Sequence, residues 1–178
     1  MAKILIINNC LIIGGAEKLV FELVNFALEN NIQPTVLIPD SYATEYYDPL
    51  LKAMNVRVVR TRLGKFHRLR NPKNLYKALS WKLKLRYFAK EFDAIHVVNL
   101  GTAERVSPLI KHSRRYFWHI GNSIQFDGNI LPFNGKLFEN PLDTIVFINK
   151  YQRMELEHQY KDIRCKKIEF KLFITSNK

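Results

Sequence analysis

The chain has 178 residues, a length suited to one ordinary domain. Hydrophobic residues make up 47% and charged residues 25%, which excludes an intrinsically disordered chain and predicts a packed core. The formal net charge is +12, large for this size, while no run approaches the roughly 18 consecutive apolar residues that a membrane-spanning helix needs.

In chain order, KILIIN at 3–8 is a short apolar run, the pattern of a strand buried on both faces of a parallel sheet. A loop holding Gly14 and Gly15 follows. Leu19, Val20, Leu23, Val24, Phe26, Ala27 and Leu28 then recur at three- and four-residue spacing and predict a helix over 16–30. TVLIP at 35–39 reads as a second strand, stopped by Pro39. A weaker helix is expected over about 43–54, and VRVVRT at 56–61 is a third strand. A long helical stretch runs from about Pro72, a good first-turn residue, to Phe92.

DAIHVVNL at 93–100 is a fourth strand, followed by a helix of about 102–112 and a fifth strand at 114–120, RRYFWHI. Residues 121–141 are rich in Asn, Gly and Pro and read as a long loop with one short helix. DTIVFIN at 143–149 is a sixth strand, KYQRMELEHQY a helix, and KKIEFKLFI at 166–174 a last strand. Strands alternate with helices throughout. The expected fold is therefore α/β, a Rossmann-like three-layer αβα domain with a mostly parallel sheet of about six or seven strands, spanning 1–178. In such sheets ligands bind at the carboxyl ends of strands. That rule selects the 9–16 loop, Asn99 to Thr102, His119 to Ser123, and Asn149 to Tyr151.

Asn8 and Asn9 interrupt the first apolar run and no small-residue cleavage site follows, so the N-terminus does not read as a signal peptide. Cys10 and Cys165 lie far apart and fit no metal spacing. Reduced thiols and a cytoplasmic location, free or peripheral at the inner face of a membrane, are expected.

The charge is unevenly placed. Arg60, Arg62, Lys65, Arg68, Arg70, Lys73, Lys77, Lys82, Lys84, Arg86 and Lys90 are eleven basic residues with no acidic residue among 60–90. Phe66, Trp81, Tyr87 and Phe88 lie within the same stretch. Cations interleaved with aromatic residues suit an anionic membrane interface, formed here by Lys65, Arg68, Arg70, Lys73, Lys77, Trp81, Lys82, Lys84 and Arg86. A solvated charged face is the plainer reading. Nucleic acid is disfavoured, because no recognised binding motif accompanies the charge.

Four segments, GGAEKLVFELVNFALENN, FDAIHVVNLG, YFWHIGNS and DTIVFINKYQRMEL, stand in an order and spacing that resembles the N-terminal domain of family 4 glycosyltransferases of the two-domain GT-B fold. The resemblance covers nearly the whole chain. It implies the acceptor-side half of a retaining, hexosyltransferase-type glycosyltransferase. Such an enzyme moves a sugar from a UDP- or GDP-sugar to a hydroxyl acceptor, glycan or lipid-linked, as in polysaccharide or lipopolysaccharide assembly. It further implies no metal, no covalently bound cofactor, and a C-terminal nucleotide-sugar domain that this chain lacks. A missing second domain or a partner chain would supply most of the donor site, and the chain alone would be inactive.

By the same resemblance, His119 contacts the reacting groups. Gly14, Gly15, Glu17, Asn99, Gly121, Asn122, Ser123 and Asn149 line the acceptor or donor site; Asn99 stands where several relatives carry a second histidine or another polar residue, and Asn149 where many carry serine. Read from the residues alone, Gly14 and Gly15 either let the backbone approach a ligand at a helix N-terminus or make a tight turn, and Glu17 complements the helix dipole. His119 either orients a hydroxyl or is a satisfied strand-edge histidine, while His96, mid-strand between apolar neighbours, is structural. The rival readings are a non-catalytic binding module, one half of a split glycosyltransferase, and a basic membrane-surface or nucleic-acid-binding α/β protein. An oxidoreductase is disfavoured because no G-x-G-x-x-G follows the first strand.

Overall fold

Seven short runs rich in β-branched and aromatic residues form one sheet. The structure is a computed structural model that describes residues 1–39, 43–61, 79–80, 83–112 and 114–170. The strands are β1 (Lys3–Ile7), β2 (Gln33–Ile38), β3 (Arg57–Arg60), β4 (Ala94–Val98), β5 (Arg115–His119), β6 (Asp143–Phe147) and β7 (Lys166–Glu169). All pairings are parallel and the spatial order is β3-β2-β1-β4-β5-β6-β7. The helices are α1 (Gly15–Glu29), α2 (Asp48–Ala53), α3 (Leu100–Val106) and α4 (Lys150–Gln159). Residues 79–80 and 83–88 are also helical and run into a 3₁₀ turn at Ala89–Glu91.

Successive side chains of a strand point to opposite faces, and the sheet obeys this strictly. Leu5, Ile7, Leu37, Val97, Phe117 and Phe147 lie in one buried cluster, covered by Leu85, Ala89, α3 and Leu156 of α4. Ile6, Val36, Ile38, Val98, Trp118 and Val146 lie in the other, covered by Leu19, Val20 and Val24 of α1 and Leu51 of α2. This is the three-layer αβα arrangement expected of the sequence. Among the described residues no helix is long and apolar enough to cross a membrane.

Several boundaries differ from expectation for local reasons. β2 begins at Gln33 and so contains Pro34. The amide of Gln33 points toward β1, donating to Ala2 O at 2.8 Å. The next position therefore faces β3, which pairs only from Thr35 onward, and the missing N–H of Pro34 breaks no ladder bond. α2 is shorter than the expected 43–54 helix: the amide of Glu45 donates to Asp48 Oδ2 at 2.7 Å and the turn it closes delays the helix until Asp48. α3 starts two residues early, because the Asn99 side chain caps it, and ends before Pro108, which has no amide to continue the ladder. The 121–141 loop holds three 3₁₀ turns, Ser123–Gln125, Asp127–Asn129 and Gly135–Phe138, where one short helix was expected. Residues 72–78 and 81–82 of the expected long helix and 171–174 of the expected last strand lie outside the described residues.

One buried ion pair joins the elements that flank the later half of the sheet. Arg115 of β5 donates from Nε and Nη2 to the two carboxylate oxygens of Asp143 on β6, at 2.7 and 2.6 Å. Its Nη1 bonds Ser107 O and Ile110 O, just past the end of α3. The Asp143 side chain is 2% exposed. Removing one partner of a buried pair strands the other charge. Arg115→Met should therefore lower unfolding free energy by about 3–5 kcal/mol in urea denaturation, and Arg115→Met with Asp143→Leu should recover part of the loss. An unchanged midpoint for the single variant would show the pair to be inert.

Candidate functional site

The sheet changes winding direction between β1 and β4, which are neighbours at its centre. In doubly wound sheets the loops beyond such a pair splay apart and leave a crevice at the carboxyl edge. The acceptor- and donor-site candidates from the sequence all belong to segments at this edge.

The loop after β1 is fixed from several sides. Asn8 Nδ2 donates to Cys10 O at 3.0 Å and reaches Glu17 Oε1 at 3.4 Å. The Cys10 thiol donates to the same Glu17 oxygen at 3.2 Å. Burial, together with that carboxylate, pushes the Cys10 thiol up to about 11, so at neutral pH it is a hydrogen-bond donor and a poor nucleophile. Leu11 N donates to Glu45 Oε2 at 2.5 Å, and Glu45 is itself paired with Arg60. Asn9 Oδ1 accepts from Thr102 Oγ1 at 2.7 Å and from the Arg105 guanidinium, tying the β1 loop to α3 across the switch point. Ile12 and Ile13 are left exposed at the rim.

Neither glycine of the loop is required by a left-handed backbone. Gly14 is extended (φ −175°, ψ 168°) and Gly15 is the first residue of α1. At Gly14 a Cβ would meet the Glu17 carboxylate, the far end of a flexible side chain, which would have to shift. Glu17, the acidic residue in the first turn of α1, is itself buried. A Cβ at Gly15 meets nothing within 4 Å. The loop therefore presents an open backbone position at the start of a 15-residue helix.

After β4, Asn99 adopts φ 84° and ψ 125°, and its side chain accepts from Gly101 N at 2.8 Å. Asn tolerates positive φ better than most residues, and capping accounts for this one. After β6, Asn149 caps α4 in the same way, accepting from Gln152 N at 3.0 Å.

After β5, Gly121, Asn122 and Ser123 lead into a segment fastened to α4. Gln152 Nε2 donates to Gly121 O at 3.0 Å; Glu155 accepts from Ser123 N at 3.0 Å and from its hydroxyl. Gln159 holds both backbone groups of Leu131, and the Tyr160 hydroxyl donates to Phe133 O at 2.6 Å. Beneath this segment lies His119, the last residue of β5. It is 1% exposed, with the rings of Phe133 and Phe147 edge-on at 6.4 and 6.0 Å. Among the described residues its Nε2 is the one buried side-chain nitrogen or oxygen with no hydrogen-bond partner. Burial lowers its pKa from the usual 6.5 to about 4, against an opposing pull from Glu155. His96 is different: it accepts from Trp118 Nε1 at 3.2 Å and stacks on Tyr116, which gives it the structural role expected.

The structure thus gathers Gly14, Gly15, Glu17, Asn99, His119, Gly121, Asn122, Ser123 and Asn149 at one edge. Asn99, Asn149 and Glu17 spend their side chains on local bonds, and His119 is covered. Asn9 and Thr102 fall within the stretches selected from the sequence, whereas Arg105, Gln152 and Glu155 were not singled out from it. Only the position of Gln152 shortly after a strand end could have pointed to one of them. Of the proposed anionic-surface residues, Lys84 and Arg86 are exposed; Lys65, Arg68, Arg70, Lys73, Lys77, Trp81 and Lys82 lie outside the described residues. Among the described residues no group of three or more His, Cys, Asp or Glu side chains is arranged to hold a metal ion. No protein-family model matches the chain, and no curated protein matches it.

The two glycines should separate in a stability assay. Gly14→Ala must shift the Glu17 carboxylate, whose Oε1 accepts from Asn8 and Cys10, and should cost about 1 kcal/mol in urea denaturation. Gly15→Ala, in open space at a helix start, should stay within about 0.5 kcal/mol of the parent. Equal losses would mean that the loop needs both glycines for its own conformation.

Proposed function

We propose that this chain is the acceptor-side domain of a retaining glycosyltransferase of the GT-B type, completed by a nucleotide-sugar domain in further sequence or in a partner chain. The observation that carries the reading is the open backbone at Gly15. It stands at the start of a long helix, beside the switch point of a doubly wound sheet. Helix N-termini favour anionic oxygens, and a UDP- or GDP-sugar presents a diphosphate to such a position. The edge contains no G-x-G-x-x-G, which weighs against a nicotinamide dinucleotide.

In this reading the domain orients an acceptor hydroxyl, glycan or lipid-linked, and forms one wall of the cleft. His119 is the group for that hydroxyl. A neutral imidazole with a free Nε2 either donates or accepts one hydrogen bond, and among the described residues no atom is bonded to it. Reaching it requires displacement of the segment around Phe133. The departing diphosphate would be stabilised chiefly by the second domain, as electrostatic compensation of developing charge. The covered state of His119 also favours a second reading, a non-catalytic binding module of the same fold. Retained transfer activity of His119→Ala in the completed enzyme would select it.

The test is an amide-resolved NMR titration of the isotope-labelled chain with a UDP-sugar, a GDP-sugar and NAD. The expected result is selective shifts at Gly14, Gly15, Gly101 and Asn122 with a nucleotide-sugar at millimolar concentration, none with NAD, and no turnover by the chain alone. Equal shifts with NAD, or none at these amides with any ligand, would contradict the reading.

A further inference from the structure

The segment 121–133 covers His119 without belonging to the sheet. Among the described residues no backbone hydrogen bond joins it to an element outside itself; its backbone bonds run from Gln125 N to Asn122 O, Phe126 N to Ser123 O and Asn129 N to Phe126 O. Two successive left-handed residues, Gly128 (φ 73°) and Asn129 (φ 52°), divide it into two arms. The first arm is fastened at Gly121 and Ser123 by Gln152 and Glu155. The second is fastened at Leu131 and Phe133, and its partners are the last residue of α4 and the one after it. Gln159 Nε2 donates to Leu131 O at 2.6 Å, and Gln159 Oε1 accepts from Leu131 N at 2.8 Å. The Tyr160 hydroxyl stands 2.9 Å from Leu131 O and 2.6 Å from Phe133 O. This second arm carries the Phe133 ring that lies edge-on to His119. Leu131 anchors it at 1% exposure, while its neighbour Ile130 is 59% exposed.

We propose that the 129–133 arm is a lid over His119, with Gln159 and Tyr160 as its latch. A segment held at a few side-chain points, with little buried apolar surface of its own, opens locally at low cost, because no sheet or helix ladder has to break. The closed lid also leaves His119 Nε2 buried without a partner. That nitrogen gains a hydrogen bond from water or from a ligand only when Phe133 moves aside, so its desolvation works against closure. The latch is dedicated to this arm: the side-chain hydrogen bonds of Gln159 and Tyr160 go to Leu131, Phe133 and each other. Releasing them leaves α4 packed on the sheet through Leu156. Opening and closing at the end of α4 thus governs access to the imidazole. The inference rests on the proposed reading of His119 for its purpose, as the step that admits the acceptor hydroxyl, but the motion is measured with no sugar nucleotide or acceptor present, so the two fail separately.

The experiment is modification of the full chain by diethyl pyrocarbonate at neutral pH, with the rate at each histidine read by peptide mass spectrometry. The reagent acylates an accessible neutral imidazole, and exposed His158 is the internal reference. Three proteins are compared: the parent, Gln159→Ala/Tyr160→Phe, and Leu51→Val. The last places a small cavity under α2, on the far face of the sheet, and lowers global stability by an amount comparable to the loss of the latch. In the parent His119 should react at least about a hundredfold more slowly than His158. The latch variant should raise the His119 rate roughly tenfold, with the His158 rate and the circular dichroism spectrum unchanged, and Leu51→Val should leave the His119 rate at the parent value. Should the double variant fail to fold, Tyr160→Phe alone carries the test, with a smaller rise expected. A parent His119 as reactive as His158, or a His119 rate that the latch variant does not raise, would overturn the proposal. An equal rise in Leu51→Val would overturn it too, since His119 would then be reached by global unfolding.

Discussion

The strict alternation of side chains across an all-parallel sheet is the constraint on which the rest depends. Every interior strand is covered on both faces, so the buried apolar residues of β1, β2, β4, β5 and β6 divide between two apolar clusters. A slip of one residue would exchange the clusters and is excluded by packing on both sides. The same rule decides what stands at the carboxyl edge. Phe117 and His119 of β5 share a face, and Phe147 of β6 pairs beside His119 in the register. An imidazole in that position meets aromatic rings rather than polar groups. An unpaired buried polar atom costs roughly 1–3 kcal/mol, and the sheet maintains it because its neighbours are fixed for other reasons.

Beyond the strands, side chains rather than backbone ladders hold the edge. Gln152, Glu155, Gln159 and Tyr160 recur on one side of α4 and its end and bind four points of the 121–133 segment. Asn9, Thr102 and Arg105 join the β1 loop to α3. Glu45 links the β1 loop to Arg60 at the end of β3. These connections fix the height of the rim while leaving Gly15 open. At the far edge, β7 is exposed along its length and carries Lys166, Lys167 and Glu169. Charged residues on a sheet edge oppose pairing with another chain, and Lys167 and Glu169 also tie β7 to Glu157 and Arg153 of α4.

The strands and helices were legible because their information is local: apolar runs, three- and four-residue spacing, and asparagines at turns. Asn31 and Asn55, both with φ 57° just past α1 and α2, mark helix ends as such residues commonly do. The edge was legible as a set of positions, since strand ends fix them. Its interactions were not. The bond from Glu45 to Leu11 spans 34 residues and that from Thr102 to Asn9 spans 93, so no periodicity encodes either. The reason for Gly14 was hidden likewise. Sequence reading offers backbone freedom or ligand approach, whereas the structure places the Glu17 carboxylate where a Cβ at Gly14 would stand. The burial of His119 depends on Phe133, fourteen residues on in an irregular segment whose path is set by α4.

The account rests on His119 being held dry and neutral at the end of β5, with its Nε2 unspent. The most direct measurement is its ionisation, followed through the imidazole proton resonances in the folded chain, with His119→Gln for assignment. A pKa of about 4 is predicted, well below the usual 6.5. Because the folded value lies below the unfolded one, the unfolded chain binds the extra proton first. Stability should therefore fall as pH drops from 6.5 toward 4, and less so in His119→Gln. A pKa near 6.5, with no such difference between the two proteins, would contradict the account, since it would place the ring in water.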